Sequence, residues 1–281
     1  MFIREIVGFP PFGWTEIIFA IPIGMHRETR KKMYRKGTRR GRITIYPPFR
    51  IAILFCGRIR GYTHVENYLL DLKKKYNAVV FCSLNKRTKS DYIAEFCSKF
   101  GISDEQLNLE LTKTQEAIYS SLTLCSDETN ASDNGISKEI TYSQYFHKYR
   151  AFQLLEAYQK RHGITFNCVI LFRADVEASE EFRIRKPEAN TIYIPDGRDY
   201  YGLNDQIAYG DFESMKHYCS GVIHLKRVCD QLGILRFPCS INENLMKRHV
   251  ENTECRLVRF PYNYELHTKR SEPLAAYDDF E

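Results

Sequence analysis

The stretch that decides the fold is Asn167–Tyr218, which reads NCVILFRADVEASEEFRIRKPEANTIYIPDGRDYYGLNDQIAYGDFESMKHY. It begins with the apolar run Cys168–Phe172, whose length and content of β-branched and aromatic residues predict a buried strand. That strand ends abruptly at the charged segment Arg173-Ala174-Asp175. Open α/β sheets bind their ligands just beyond the carboxyl ends of their strands. The sequence therefore predicts a ligand site at this arginine and aspartate.

The residue types at the strand end suit a phosphorylated ligand, although each has a simpler alternative. Asp175 is a suitable oxygen ligand for Mg²⁺ or Mn²⁺, which take one or two carboxylates together with substrate phosphates, or it binds a ribose hydroxyl. Arg173 either neutralises a diphosphate or pairs with a neighbouring carboxylate.

A second polar cluster, Gly202-Leu203-Asn204-Asp205-Gln206, follows in the same stretch and precedes a run that has helix-like spacing. An aspartate in this position is a candidate general base for a sugar hydroxyl. The alternative is a turn or helix-capping aspartate. The residues alone leave both interpretations open.

Strands and helices alternate between residues 50 and 262, which predicts an α/β sandwich. The predicted strands are Phe49–Cys56, Ala78–Ser83, Cys168–Phe172 and Cys255–Phe260, and the predicted helices are His64–Tyr76, Asp91–Phe100, Tyr142–Arg161, Asp211–Val228 and Ile241–Val250. The first strand runs into a turn that contains Gly57, Arg58 and Arg60. A strand, a glycine turn and a helix form the first half of a Rossmann-like unit, in which a helix N-terminus and guanidinium groups can hold phosphate.

The helix predicted over Tyr142–Arg161 has the most regular pattern in the chain. Aromatic and aliphatic residues recur every three or four positions, which indicates one continuous apolar face that packs in the core. A base-stacking platform is the alternative interpretation of these rings. Lys148 falls on the opposite, polar face and is expected to be exposed.

The positive charge is concentrated at one end of the chain. The 281 residues have a net charge of +6, to which residues 1–49 contribute ten Lys/Arg against three Asp/Glu. We predict that residues 1–49 form a basic extension and that residues 50–281 form a single domain with a polar C-terminal tail. The extension contacts nucleic acid or anionic lipid headgroups, or is simply solvated. The near-neutral body does not favour nucleic acid as the main partner.

Cysteine use and hydropathy indicate a reduced, cytoplasmic protein. The nine cysteines are scattered, odd in number and without a CxxC pair, so neither a zinc site nor a disulfide framework is predicted. The apolar patch Ile17–Met25 is broken by Pro22 and Gly24 and is too short to span a bilayer. We expect no transmembrane segment, while a peripheral membrane contact through the basic extension stays open.

The motifs FRIAILFCGRIRGY, NAVVFCSLN, CVILFRADVEAS and IYIPDGRDYYGLNDQIAYGDFESMKHYC together resemble glycosyltransferases of the GT-A fold. They are most similar to a group found in giant viruses and in bacterial surface-polysaccharide loci. The resemblance covers roughly residues 50–265. It implies a Rossmann-type α/β/α sandwich with a mixed central sheet, and transfer of a hexose-type sugar from a nucleoside-diphosphate donor to a hydroxyl acceptor, expected to be a glycan.

The resemblance also implies roles for individual residues. Gly57, Arg58 and Arg60 correspond to the turn beside the nucleotide, and Arg173 belongs to the same donor-binding edge. Asp175 corresponds to the last aspartate of the family's DxD-like metal motif, whose first acid is absent here because the motif reads Arg-Ala-Asp.

Asn204 and Asp205 correspond to the motif that faces the sugar or the acceptor, with Asp205 as the candidate catalytic carboxylate if transfer inverts the sugar. A histidine near the C-terminus often completes the metal shell in this family, and His249 and His267 are both available. We take His249 as the expected ligand of Mn²⁺ or Mg²⁺. The rival functions are a nucleotide-sugar-binding or nucleotidyl-transferring enzyme, and a nucleic-acid-binding protein that acts through the basic extension.

Overall fold

The computed structural model describes residues 49–57, 63–85, 90–110, 138–178, 183–200, 202–233 and 242–266. The predicted basic extension and the C-terminal tail lie outside these ranges, apart from the ends that adjoin the described residues. None of the helices in the described ranges is long and apolar enough to cross a membrane.

Nine strands and six helices make up the described part of the chain. In order, they are β1 (Ile51–Gly57), α1 (Thr63–Tyr76), β2 (Val79–Asn85), α2 (Ser90–Phe100), a 3₁₀ turn (Asp104–Gln106), β3 (Leu107–Glu110), α3 (Lys138–His162), β4 (Cys168–Arg173), β5 (Val176–Ala178), β6 (Thr191–Pro195), β7 (Ile207–Gly210), α4 (Phe212–Cys219), α5 (Gly221–Gln231), α6 (Asn242–Glu251), β8 (Arg256–Phe260) and β9 (Tyr264–Leu266).

Seven of the strands form one mixed sheet in the order β3-β2-β1-β4-β7-β6-β8. Strands β3, β2, β1 and β4 run parallel, β7 runs antiparallel to both β4 and β6, and β6 pairs in parallel with β8. Strands β5 and β9 form a separate antiparallel pair.

The sheet is covered on both faces, as its apolar strands require. Alternate residues of β1 point to opposite sides, so that Ala52 and Leu54 pack in one core and Ile51 and Ile53 in the other. Helices α3, α4, α5 and α6 contribute to the first core, and α1 and α2 to the second. The predicted Rossmann-type α/β/α sandwich with a mixed central sheet is therefore confirmed.

The aromatic face of α3 packs in the core, as predicted. Tyr145, Phe152 and Leu155 are buried there, and Tyr149 and Tyr158 pack against the same cluster. These rings are covered by the sheet and the neighbouring helices, so they do not form an open stacking platform.

Two predictions around the second polar cluster were wrong. The run after Gln206, for which helix-like spacing was expected, begins with strand β7 (Ile207–Gly210), because these residues pair with both β4 and β6. The single helix predicted over Asp211–Val228 breaks at Ser220, and a new helix begins at Gly221. A Cβ at Gly221 would lie 2.5 Å from the Tyr145 ring, so this close contact with α3 requires glycine.

Strands β1 and β4 lie at the point where the order of the sheet reverses. From β1 the chain proceeds to β2 and β3 on one side, and from β4 it proceeds to the strands on the other side. Cys56 of β1 is paired with Arg173 of β4, so the two strands end side by side. Open α/β sheets bind ligands in the crevice at such a switch point.

Candidate active site

Gly57 and Arg173 mark the ends of the two strands that flank the switch point. Gly57 has φ of +105°, a conformation that side chains rarely adopt, and a Cβ there would meet nothing within 4 Å. The glycine is therefore required by the turn of the backbone rather than by close packing. Arg58 and Arg60, which follow it in the sequence, lie outside the described residues.

Arg173 and Asp175 form a two-pronged ion pair just past the end of β4. Arg173 Nε donates to Asp175 Oδ1 at 2.7 Å, and Nη2 donates to Oδ2 at 3.1 Å. Their side chains are 17% and 23% exposed, so the pair lies at the border of the interior. Of the two predicted roles for Arg173, pairing with a neighbouring carboxylate is the one observed in this structure.

Asp205 lies deeper, between two cations. Lys148 Nζ donates to Asp205 Oδ2 at 2.8 Å, and Arg173 Nη1 donates to Oδ1 at 3.3 Å. Burial favours the neutral carboxyl, but Lys148 and Arg173 outweigh it and hold the pKa of Asp205 below its usual value. Asp205 is therefore an ionised, fixed carboxylate and a weak proton acceptor.

Lys148 is a buried member of this charge network that the sequence did not reveal. The periodicity of α3 predicts it on the exposed face, but its side chain is only 2% exposed. Its ammonium group pairs with Asp205 and lies 5.4 Å from the centroid of the Tyr145 ring and 6.0 Å from that of Tyr218. Lys148 is buried because its partner, Asp205, lies 57 residues away in the sequence. A local sequence pattern cannot predict such a partner.

Asn204 lies next to Asp205 and shapes the loop that carries it. Its side-chain amide donates to the Gly197 carbonyl at 3.0 Å and to the Tyr264 hydroxyl at 2.6 Å, while its Oδ1 accepts from the Gln206 backbone at 3.0 Å. Asn204 is fully buried. These contacts fix the backbone before β7, and the predicted contact of Asn204 with a nucleotide sugar stays a prediction.

The loop between β6 and Asn204 contains two strained positions. Arg198 and Tyr200 have φ of +54° and +40°, which is uncommon for residues with a side chain. Arg198 donates to the Tyr264 carbonyl at 2.9 Å, and Asp199 accepts from Arg259 at 2.8 Å. The surrounding contacts therefore hold the loop in a conformation that its own residues disfavour.

Glu243, in the first turn of α6, is a second carboxylate beside this network. The residue is 7% exposed. Burial and the charge of Asp205 raise the pKa of Glu243 to about 7, although Arg173 and Lys148 oppose the shift. In the sequence Glu243 has the appearance of an ordinary acidic residue at a helix start, so only its surroundings reveal it.

The first turn of α6 is joined directly to the loop that carries Asp205. The Leu203 backbone donates to the Glu243 carbonyl at 2.8 Å. A Cβ at Gly202 would lie only 2.1 Å from the backbone carbon of Glu243. The glycine of the Gly-x-Asn-Asp-Gln cluster therefore allows the loop and the helix to touch.

His249 belongs to a different set of contacts. Its Nε2 donates to the His217 carbonyl at 2.8 Å, and its ring stacks on His224 with centroids 5.6 Å apart. Burial lowers its pKa to about 4. It follows Glu243 by six residues, which is about 9 Å along the helix axis. The structure therefore separates His249 from the network of Asp205 along α6.

The described residues contain no group of three or more His, Cys, Asp or Glu side chains that could hold a metal ion. Both carboxylate oxygens of Asp175 are bound by Arg173. The metal roles of Asp175 and His249 stay predictions, and His267 lies outside the described residues.

Comparison with known proteins places the chain in a family without assigning an activity. A family model described as "Domain of unknown function (DUF7796)" matches residues 108–260. No curated protein matches the sequence. Among solved structures, the apo form of mouse xyloside xylosyltransferase 1 is similar over 75% of this chain and 84% of its own, with a TM-score of 0.38 and 6% identity.

Proposed function

The chain belongs to the DUF7796 family, a domain of unknown function, and we propose that it is a glycosyltransferase. It moves a sugar from a nucleoside-diphosphate donor to a hydroxyl acceptor, expected to be a glycan. The observation that carries this proposal is the network of alternating charges, Lys148–Asp205–Arg173–Asp175, beside the switch point of the sheet; its inner pair, Lys148 and Asp205, is buried.

Stability does not account for such a network. Removing two charges from water costs several kcal/mol per ion, and replacing buried ion pairs by apolar residues is often neutral or stabilising. A chain gains more from a fixed array of charges at the site where α/β sheets bind ligands. The array is a preorganised set of donors and acceptors, which is how enzymes stabilise developing charge.

The two ends of the network have different tasks. Asp175, at the more exposed end, accepts hydrogen bonds from hydroxyl groups of the donor. Asp205, fixed by Lys148 and Arg173, is an ionised carboxylate next to the transferred sugar, where it stabilises positive charge that develops at the anomeric carbon. Asn204 holds the loop that presents Asp205.

The phosphates of the donor require further positive charge, because the cations of the network are already paired with carboxylates. Arg58 and Arg60 follow Gly57 at the end of β1 and are the proposed phosphate ligands. This assignment rests on the sequence and on its resemblance to GT-A glycosyltransferases. Arginine suits the task because its planar group binds phosphate oxygens through two donors.

A divalent cation, Mn²⁺ or Mg²⁺, is part of the proposal, with Asp175 as its ligand and His249 as the second predicted ligand. Magnesium is often held by one carboxylate together with substrate phosphates, so a single aspartate suffices in principle. The described residues do not form such a site in advance, since Arg173 holds Asp175 and His249 bonds to His217.

Product analysis tests the proposed function. We expect the full chain, incubated with UDP-glucose, GDP-mannose or dTDP-glucose, to release nucleoside diphosphate from one donor, and to label a glycan acceptor with the sugar. Release of the sugar 1-phosphate, with the nucleoside monophosphate transferred to another acceptor, would instead identify a nucleotidyl-transferring enzyme. Binding without turnover of any donor would identify a nucleotide-sugar-binding protein.

A further inference from the structure

Glu243 is a carboxylate that the network described above does not use. It is buried and lies in the first turn of α6, and its backbone packs against Gly202 and accepts a hydrogen bond from Leu203, just before Asp205. A glutamate in the first turn of an exposed helix is stabilised by the helix dipole alone. The helix dipole does not explain why Glu243 is buried near another carboxylate, because burial and a like charge both make the ionised form of Glu243 less stable.

The helix turn that carries Glu243 also has a polar atom without a partner. Asn242 Oδ1 is buried and accepts no hydrogen bond from any residue that the structure describes, although the Asn242 backbone carbonyl accepts from Tyr145 at 2.9 Å. Buried acceptors in native proteins are almost always satisfied. An acceptor atom without a described partner and a buried carboxyl therefore belong to the same turn of α6.

We infer that Glu243 takes the proton from the acceptor hydroxyl during sugar transfer, an inference that rests on the proposed transferase function. The acceptor oxygen forms a bond to the anomeric carbon of the donor sugar while the bond from that carbon to the phosphate oxygen breaks. The electron pair of the broken bond leaves with the nucleoside diphosphate. The hydroxyl proton moves to the Glu243 carboxylate and then to solvent. Asn242 Oδ1 accepts a hydrogen bond from a neighbouring hydroxyl of the same acceptor.

This assignment divides two tasks between two carboxylates. Asp205 is held ionised by direct contacts with Lys148 and Arg173, whereas Glu243 has a pKa of about 7. When two neighbouring acids titrate far apart, the one that titrates near neutral pH is suited to proton transfer. In this proposal Glu243 is the base, in place of Asp205, which the sequence suggested.

The pH dependence follows from the groups that face Glu243. Lys148 and Tyr145 approach from α3, Arg173 from β4 and Asp205 from the loop before β7. The histidines on α4 and α5 that pack against α6, His217 and His224, contact His249 instead. Since the base is active when ionised, the rate rises with pH and levels off above about 7.

The test measures hydrolysis of the three donors named above by the full chain, with water as the acceptor, between pH 5 and pH 9. We expect the Glu243→Gln variant to bind the preferred donor as wild type does, to hydrolyse it about a hundredfold more slowly, and to lose the inflection near neutral pH. Glu243→Asp should retain a reduced rate and an inflection. The control is Glu251→Gln, which changes the exposed last residue of the same helix and should behave as wild type.

Failure of the inference differs from failure of the proposed function. If wild type releases no nucleoside diphosphate from any donor at any pH, the proposed function is wrong. If wild type is active and Glu243→Gln has the same rate and pH profile, Glu243 is not the base. If Glu243→Gln does not fold, an active wild type without an inflection near neutral pH overturns the inference.

Discussion

Lys148 and Asp205 form an ion pair with 2.8 Å between Nζ and Oδ2, although 57 residues separate them and only 2% and 1% of their side chains are exposed. The pair joins the long helix α3 to the loop before β7. Arg173 extends it to the end of β4. Three segments that are distant in the sequence therefore meet in one electrostatic unit next to the switch point.

Removing the lysine should be costly, because it leaves Asp205 buried with a single and longer contact to Arg173. We expect Lys148→Met to lower the free energy of unfolding by about 3 kcal/mol or more, as for other broken buried pairs. The matched control is Lys216→Met, since Lys216 pairs with Glu156 at 2.7 Å but is 48% exposed. It should change stability by about 1 kcal/mol or less. Urea unfolding measures both, and equal effects would contradict the role given to the buried pair.

Low pH should remove the contribution of the Asp205 carboxylate to the stability of the folded protein. Its pKa is lowered in the folded protein, so the stabilisation is complete above the ordinary aspartate value of about 4 and is lost as the pH falls below it. We expect the stability difference between wild type and Asp205→Asn to be largest at neutral pH and to shrink towards pH 3. Denaturant unfolding over this range measures the difference. If the stability difference between wild type and Asp205→Asn does not change with pH, the charge of Asp205 does not stabilise the folded protein.

Glu243 should affect stability in the opposite sense. Its pKa rises from 4.5 to about 7 on folding, so the folded state holds a proton that the unfolded state has released between these values. Wild type should therefore lose stability relative to Glu243→Gln as the pH rises from 4.5 to 7. His147 and His249, whose pKa values are lowered to about 4, titrate in both proteins and cancel in the comparison. A flat difference would mean that Glu243 is ionised throughout.

The sequence predicted the elements whose patterns are local. Strands β1, β2 and β4 are apolar runs with clear ends, and α1, α2, α3 and α6 begin and end within a few residues of the predicted positions. The sequence also predicts the position of Arg173 and Asp175 at the end of a buried strand, and their role in a ligand site stays a prediction.

The features that the sequence missed depend on distant partners. Strand β7 has only four residues and is defined by its pairing with β4 and β6. The burial of Lys148 depends on Asp205, and the state of Glu243 depends on the loop that packs against it. The periodicity of the sequence cannot predict such contacts. Each contact joins two segments, and the number of residues between them is unrelated to a helical or strand repeat.

The contact between Gly202 and α6 can be tested by adding one methyl group. In Gly202→Ala the new Cβ would meet the Glu243 backbone, so we expect stability to fall by roughly 3 kcal/mol and donor hydrolysis to be lost. Gly163→Ala is the control, because Gly163 has φ of +59° but open space around it. It should cost about 1–2 kcal/mol and leave hydrolysis unchanged. Retained hydrolysis in Gly202→Ala would show that the position of α6 does not matter for activity.

Among the residues that the structure describes, we expect Asp175 to have the largest effect on the affinity for the donor. Asp175→Asn keeps the shape of the side chain but removes the charge that orders Arg173, and we expect the Kd for the preferred nucleotide sugar to rise about tenfold. Glu105→Gln is the matched control. Glu105 also pairs with an arginine, Arg161, at 2.8 Å and is 28% exposed, but it lies in the 3₁₀ turn Asp104–Gln106, and its partner is near the C-terminal end of α3. Its Kd should equal that of wild type.

Calorimetric titration with the nucleotide sugar measures these Kd values. The same titration, repeated with Mn²⁺ and with EDTA, tests the proposed cation. If Asp175 binds a metal together with the phosphates of the donor, Mn²⁺ should tighten binding to wild type and have no effect on Asp175→Asn. Equal tightening in both proteins would assign the cation to other residues. An unchanged Kd in Asp175→Asn, with or without the metal, would remove Asp175 from the donor site, because neither its charge nor a bound cation would then contribute to affinity.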